Sequence, residues 1–402
     1  MGPRDPRRLL RSRRRVCTGV GNVGPVLFLS ARVGVGHTAA ADAVRARLEA
    51  RGIRGETVDS YRYAASFFSK VVSDGYIGMV RTIPQVYGFI YDRAERAKEA
   101  GGFRVWAAEF TARNLQRLIT RMRPSVVVCT HAFPCNAMSA YKRLYDPELP
   151  VFGIVTDFVV HPFWIYRNID AYAVATPEMR STMIARGVEA DRVRVDGIPV
   201  DLRFAERTRS RAEIRAALGL PPDRPVMLVM GGGLGLGPVA TTTRALAQLD
   251  REVTAVVIVG RNARLKRQVE EAAANYPYET RVLGFVDNVA DYMLASDILL
   301  TKPGGLTTTE ALSAEVPMIL VRPLPGQEQR NARFLEQRGA ALRADRSRDI
   351  ARLVAELLDD PASDSRLHIA VRQLRKPFAA ETIAGRIAEL GTRATARYAY
   401  GE

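Results

Sequence analysis

The sequence predicts an α/β protein of two doubly wound domains, and three observations carry that prediction. Short apolar runs, among them Val26–Ser30, Pro124–Thr130, Val226–Met230 and Pro317–Val321, alternate with segments of helical spacing. Uninterrupted apolar strands between helices mark a parallel sheet covered on both faces. Glycine-rich turns follow several of these runs, at Gly34–Gly36, Gly231–Gly237 and Gly304–Gly305. At 402 residues the chain is long enough for two full cores. The divisions expected are a basic arm over 1–24, a first domain over 25–201, a second over 202–375 and a terminal helix over 376–402 that crosses back to the first.

Composition narrows the partners. Fifty-nine Lys and Arg against 43 Asp and Glu give a net charge of +16. Such a balance points to something anionic: nucleotide phosphates, nucleic acid or an acidic membrane surface. Three cysteines, Cys17, Cys129 and Cys135, form neither a disulfide framework nor a metal spacing, so a reducing cytoplasm is expected. The longest uncharged run, Pro225–Thr243, is rich in Gly and Thr and reads as a strand plus a loop, not a membrane span. The arm MGPRDPRRLLRSRRR leads into CTGVGNVG rather than an apolar stretch, so it is not read as a signal peptide.

In the first half, strand Val26–Ser30 enters ARVGVGHTAAADAVRARLEARG, whose Ala40, Ala43, Val44 and Leu48 fall at core spacing and which ends at Gly52. Gly34, Gly36 and Ala39 fit G-x-G-x-x-A, and Asp59 stands 23 residues beyond Gly36, so a nicotinamide dehydrogenase is one reading. A histidine ring in that turn would crowd a pyrophosphate, and the second half carries its own glycine turns. The sharper reading has His37 projecting into a cleft as a general base, since its ordinary pKa suits proton abstraction near neutrality. The plainer one is a histidine that only hydrogen-bonds at a helix start.

Residues 61–111 break the α/β rhythm with Phe67, Phe68, Tyr76 and Tyr87 interleaved with Lys70, Arg81, Arg93 and Lys98. Basic plus aromatic character fits single-stranded nucleic acid or a membrane interface, and a buried helical excursion is the alternative. Strand Pro124–Thr130 places His131 on the ligand edge of the sheet. Strand Val151–Val155 leads into a loop with Thr156, Asp157, His161 and Trp164. An Asp and a His there can hold an acceptor hydroxyl or the catalytic proton, or only bond within the loop.

The second half repeats the β-Gly-α unit. Gly231–Gly237 precede a helix from Pro238, with N–H groups that can cradle a diphosphate. No Gly-Lys-Ser/Thr follows, so this is not an ATP-hydrolysing loop. Arg261 stands at the next turn, and Phe285 and Val286 follow a strand where an aromatic can stack on a base. The densest stretch is DILLTKPGGLTTTEALSAEVPMILVRPLPGQEQRNA. There Gly305, Leu306 and Thr307 open a helix whose N–H groups favour negative charge. Glu310 shares a face with Thr307 and could accept both hydroxyls of a ribose, or simply be solvated.

The order Gly-x-Gly-His (Gly34–His37), Thr-Asp…His-Pro-x-Trp (Thr156–Trp164), Gly-Gly-Gly (Gly231–Gly233) and Pro-Gly-Gly-Leu-Thr-x-x-Glu (Pro303–Glu310) with its Gln-Glu loop resembles one glycosyltransferase family over roughly Val26 to Leu374. That family holds the monogalactosyldiacylglycerol synthases, the processive diacylglycerol glucosyltransferases and, more distantly, the lipid-linked peptidoglycan N-acetylglucosaminyltransferase. The resemblance implies a GT-B fold, with two Rossmann-like domains facing a cleft, and an inverting, metal-independent transfer of hexose. UDP-glucose or UDP-galactose is the implied donor and diacylglycerol the acceptor, at the inner face of a membrane with anionic lipids. Neither a cofactor nor nucleic acid is expected. Carried over residue by residue, Gly232, Gly233 and Gly235 hold phosphates, Phe285 and Val286 hold uracil, Glu310 holds ribose, and Gln327 and Glu328 hold sugar hydroxyls. Arg261 and the helix opening at Gly305, Leu306 and Thr307 stabilise the departing UDP. Gly36, His131, His161 and Trp164 stand on the acceptor side, with His37 or Asp157 as the base. Residues 61–111 contain the family's lipid-facing pattern at Tyr76-Ile77, Pro84 and Tyr87-Gly88. Two other readings stand beside this one: a UDP-sugar 2-epimerase on the same fold, and a basic membrane- or nucleic-acid-binding protein without catalysis.

Overall fold

A computed structural model of the protein describes residues 23–31, 35–64, 102–233, 235 and 237–400. The membrane candidates Phe67, Phe68, Tyr76 and Tyr87 and nearly all of the basic arm lie outside the described residues. The described chain is two six-stranded parallel sheets with helices on their faces. The first contains β1 (Val26–Ser30), β2 (Gly55–Asp59), β3 (Val126–Cys129), β4 (Val151–Ile154), β5 (Ala171–Ala173) and β6 (Val193–Arg194), in the order β2-β1-β3-β4-β5-β6. The second contains β7 (Val226–Met230), β8 (Thr254–Ile258), β9 (Glu279–Leu283), β10 (Ile298–Thr301), β11 (Met318–Val321) and β12 (Leu342–Ala344), in the order β12-β11-β10-β7-β8-β9. The α/β, doubly wound reading of the sequence is what the structure has.

Strand alternation distributes the apolar runs. Leu27, Leu29, Val127 and Cys129 face one core, with Ala112, Leu115 and Ile119 of the helix Gly102–Met122 and Met138 and Tyr141 of the helix Ala132–Leu144. Val26, Phe28, Val126 and Val128 face the other, with Val44 and Leu48 of the helix Gly36–Glu49. Period-two geometry sends successive residues to opposite faces, so an all-apolar strand needs cover on both.

Part of that cover comes from the far end of the chain. Helix Ala379–Tyr400 brings Ala380, Ile383, Ala384 and Ile387 into the first domain's core. Their spacing of three and four residues makes one stripe, and each buried isoleucine contributes roughly 1.5–3 kcal/mol. Arg386 of that helix pairs with Asp196 and stacks over the Phe152 ring at 5.0 Å. The last helix is therefore packed on the domain that the first strand begins.

Candidate active site

An open α/β sheet forms a ligand crevice at the carboxyl edge, where adjacent strands send their following segments to opposite sides. In the first sheet that point lies between β1 and β3, and in the second between β7 and β10. The segments that follow these strands meet. A Cβ on Gly36 would touch Leu306 at 3.4 Å, and one on Gly305 would overlap the Thr156 carbonyl oxygen. Glycine at 305 permits that approach because it has no Cβ.

At the first crevice, His37 lies in the first turn of the helix Gly36–Glu49, and His131 caps the helix Ala132–Leu144. His37 Nδ1 stands 3.0 Å from the Thr130 carbonyl oxygen and 2.9 Å from Thr156 Oγ1. A carbonyl only accepts, so Nδ1 carries the hydrogen and Nε2 the lone pair. Burial holds this imidazole below the usual histidine range, against the pull of Asp157 and the Thr130 carbonyl. Burial thus favours the neutral imidazole, the form a base requires. The His131 ring lies edge-on to it, 4.7 Å between centres.

Asp157 is buried in the loop that follows β4, and its carboxylate is engaged by the other domain. Gln327 Nε2 donates to Oδ2 and Asn331 Nδ2 donates to Oδ1 at 3.0 Å. Burial pushes this carboxyl up, while the two amide hydrogen bonds and His37 pull it down. Asn331 also donates to the Pro303 carbonyl at 3.2 Å and accepts from the Phe158 N–H at 3.1 Å. One side chain, 1% exposed, thus ties both halves of the cleft. Gln327 and Asn331 reach the same carboxylate because they stand one helical turn apart.

At the second crevice the work is done by backbone. Gly232 and Gly235 have φ of 75° and 60°, values that cost a residue with a Cβ. Helix Gly305–Ala314 starts at Gly304 with no side-chain cap, so its first N–H groups remain for a ligand. Lys302 lies beside this turn. A Cβ on Gly232 would stand 3.4 Å from its Cε, and its Nζ pairs with Glu328 Oε1 at 2.8 Å. Phe285 is 52% exposed at the rim, with the Arg261 guanidinium 4.8 Å above its ring. Glu310 is half-buried, and burial, then the nearby Asp201 carboxylate, push it up to about 7. Among the described residues no three His, Cys, Asp or Glu side chains are grouped to hold a metal ion.

The structure brings His37, Gly36, His131, Asp157, Gly305, Leu306 and Gln327 to the meeting of the two edges. Gly232, Gly233, Lys302 and Glu328 cluster beside them, and Arg261, Phe285 and Val286 occupy the rim of the second crevice. Two acceptor-side candidates are placed elsewhere. Trp164 is 4% exposed within the first domain's core, and its carbonyl accepts from Tyr172 Oη at 2.8 Å. His161 is buried, and its Nδ1 caps the short helix Pro162–Trp164 by accepting from Phe163 N–H at 3.2 Å. Both are buried in the loop, which turns inward after Asp157. Asn331 and Lys302 were not singled out from sequence. Their only signals were the i,i+4 spacing to Gln327 and the position directly after β10.

Two doubly wound domains facing each other across such a cleft define the GT-B class. Within it, residues 37–200 match the monogalactosyldiacylglycerol (MGDG) synthase family and residues 210–374 match the glycosyl transferases group 1 family. The chain is 30% identical over 360 residues to the processive diacylglycerol beta-glucosyltransferase of Bacillus licheniformis, covering 89% of this chain and 93% of that protein. In structure it resembles MurG of Acinetobacter baumannii (TM-score 0.60, 20% identity, 91% and 99% covered). It also resembles the UDP-GlcNAc 2-epimerase of Neisseria meningitidis bound to UDP-GlcNAc (TM-score 0.56, 12% identity, 92% and 99% covered). At such identities these two likenesses speak for the fold alone. The sequence relation speaks for more: the chain belongs to the diacylglycerol glycosyltransferase family, and it is a glycosyltransferase of glycolipid synthesis.

Proposed function

We propose that the protein moves glucose from UDP-glucose to diacylglycerol, with inversion, at the cytoplasmic face of a membrane. The observation that carries this reading is the pairing of the two crevices. A neutral imidazole with its lone pair on Nε2 stands across from a glycine turn and an uncapped helix start. The acceptor oxygen gives its proton to His37 Nε2 and forms a bond to the anomeric carbon. The bond from that carbon to the diphosphate oxygen breaks on the opposite face, which inverts the centre. The new imidazolium is stabilised by the Thr130 carbonyl and by Asp157. Negative charge on the departing UDP is met by N–H groups at Gly305 to Thr307 and by Lys302. Glu328 pairs with Lys302 beside the glycine turn, and Gln327 donates to Asp157.

His37 is favoured over Asp157 as the base because both Asp157 oxygens already accept amide hydrogens. Glucose is preferred over galactose because the relative above is a glucosyltransferase. No helix among the described residues is long and apolar enough to cross a membrane, so the acceptor is reached from the surface. The test is to incubate the protein with labelled UDP-glucose or UDP-galactose and diacylglycerol vesicles. Label from UDP-glucose should enter the lipid phase. No transfer from either donor would overturn the reading.

A further inference from the structure

We propose that His131 is a second catalytic residue: its Nε2–H donates to the acceptor hydroxyl oxygen whose proton passes to Nε2 of His37. The assignment rests on the acceptor reading above and deepens it.

His131 occupies the N-cap of the helix Ala132–Leu144, and its Nδ1 accepts from the Phe133 N–H at 3.1 Å. A nitrogen that accepts cannot carry a hydrogen, so the neutral ring carries its hydrogen on Nε2. The charged form is disfavoured three ways. Burial comes first and His37 second, and together they hold the ring well below the usual histidine range. The helix start adds its own positive end. His131 is therefore a fixed donor at Nε2. His37 has the opposite arrangement, with Nδ1–H on the Thr130 carbonyl and the lone pair on Nε2. The two rings form a complementary pair, one presenting an acceptor and the other a donor.

Both Nε2 atoms are open to the cleft. Neither has a protein partner among the described residues, and neither is among the buried polar atoms that lack one. The rings touch edge to face with centres 4.7 Å apart, so one hydroxyl beside the pair is within reach of both, donating to His37 and accepting from His131. As the proton leaves, the oxygen gains negative charge and the His131 hydrogen bond strengthens. That bond strengthens toward the transition state, which is what makes it catalytic.

His161 shows that the cap alone does not require this position. It caps its short helix through the same Nδ1 contact in a buried setting. Capping is also done well by Asn or Asp, which lack a group at the Nε2 position. That separates two variants. His131→Asn keeps an acceptor for the Phe133 N–H and removes the donor into the cleft. His131→Gln keeps an amide donor near the Nε2 position and loses the cap.

Both variants are compared with wild type for transfer from UDP-glucose to diacylglycerol vesicles, for UDP affinity and for thermal midpoint. His131→Asn should keep UDP affinity and midpoint while kcat falls about 10²-fold, the loss typical of one oxyanion donor. His131→Gln should have the lower midpoint of the two and the higher residual kcat. Full activity in His131→Asn, or a kcat for His131→Gln below that of His131→Asn at a temperature where both are folded, overturns the assignment while the glycosyltransferase reading stands. A wild type that transfers nothing overturns that reading, and this one with it. Nitrogen-15 histidine spectra at neutral pH read the two tautomers separately. Opposite tautomers on His37 and His131 are expected, and the same tautomer on both rings would overturn the pairing.

Discussion

The two crevices sit at equivalent places in two sheets of like topology, yet they are furnished differently. The one between β1 and β3 presents side chains, His37, His131 and Asp157, each held by a backbone group or by an amide from the facing domain. The one between β7 and β10 presents backbone: glycines with positive φ, an uncapped helix start and one lysine. On the proposed function, the difference follows from what each crevice would do. Moving a proton requires one atom in a known protonation state, which only a titratable side chain supplies. Holding a diphosphate requires close approach and many weak positive charges, which glycine and N–H groups supply. On that proposal the same topology divides into a side of chemistry and a side of affinity. Substitutions on the first side should change turnover, and those on the second should change nucleotide binding.

The largest effect tests that division directly. His37→Ala should lower kcat by about 10²–10⁴ and leave UDP affinity by calorimetry close to wild type. A parallel loss of UDP affinity would mean the crevices are not separable. Near-normal turnover would transfer the role of base to Asp157.

Asn331→Ala tests the tie between them. It leaves the Phe158 N–H and the Pro303 carbonyl without this partner and deprives Asp157 of one donor. A buried group left unsatisfied costs about 1–3 kcal/mol, so thermal unfolding should shift down by several degrees. Turnover should fall as well, because the Asp157 loop loses its hold on the second domain. A stable variant with normal kcat would show that the two halves are aligned without this contact.

The contrast also explains what was legible in the chain. Parallel strands appear as apolar runs, and glycine turns appear as letters, so the fold class and the second crevice could be read directly. Gly305 is the clearest case, because the close approach that needs glycine is local in sequence on one side. Asn331 was not legible, since its three partners lie in loops 28 to 174 residues away. Trp164 shows the reverse case. A loop of Thr, Asp, His and Trp looks uniformly functional in sequence, but its path decides which side chains reach the cleft. After Asp157 that path turns inward, so Trp164 joins the core. The opposite tautomers of His37 and His131 depend on which nitrogen meets a backbone group, and that is set by three-dimensional placement alone.

On the affinity side, Glu310→Ala should weaken UDP binding roughly ten- to hundredfold, the loss expected for a charge-assisted hydrogen bond of about 1.5–3 kcal/mol. Turnover at saturating UDP-glucose should change much less. Unchanged UDP affinity would remove the ribose role from Glu310.

The smallest effect is one of pH, and its sign follows from burial. Glu310 is pushed from 4.5 up to about 7 by burial and by Asp201, so near neutrality it is about half ionised. A carboxylate accepts two ribose hydroxyls better than a carboxylic acid does. UDP-glucose affinity should therefore rise with pH, by up to about tenfold between pH 6 and 8, and then level off. UDP-glucose is the proper probe, because a terminal phosphate such as that of UDP itself titrates near pH 6. Stability runs the other way. The raised pKa favours the folded state fully below about 4.5, and that contribution is lost as pH rises through about 7. Asp201→Asn removes the neighbouring negative charge, so the inflection in affinity should move to lower pH, while Glu310→Gln should abolish it. An inflection that survives in Glu310→Gln would belong to another group and would separate the pH dependence from the ribose site.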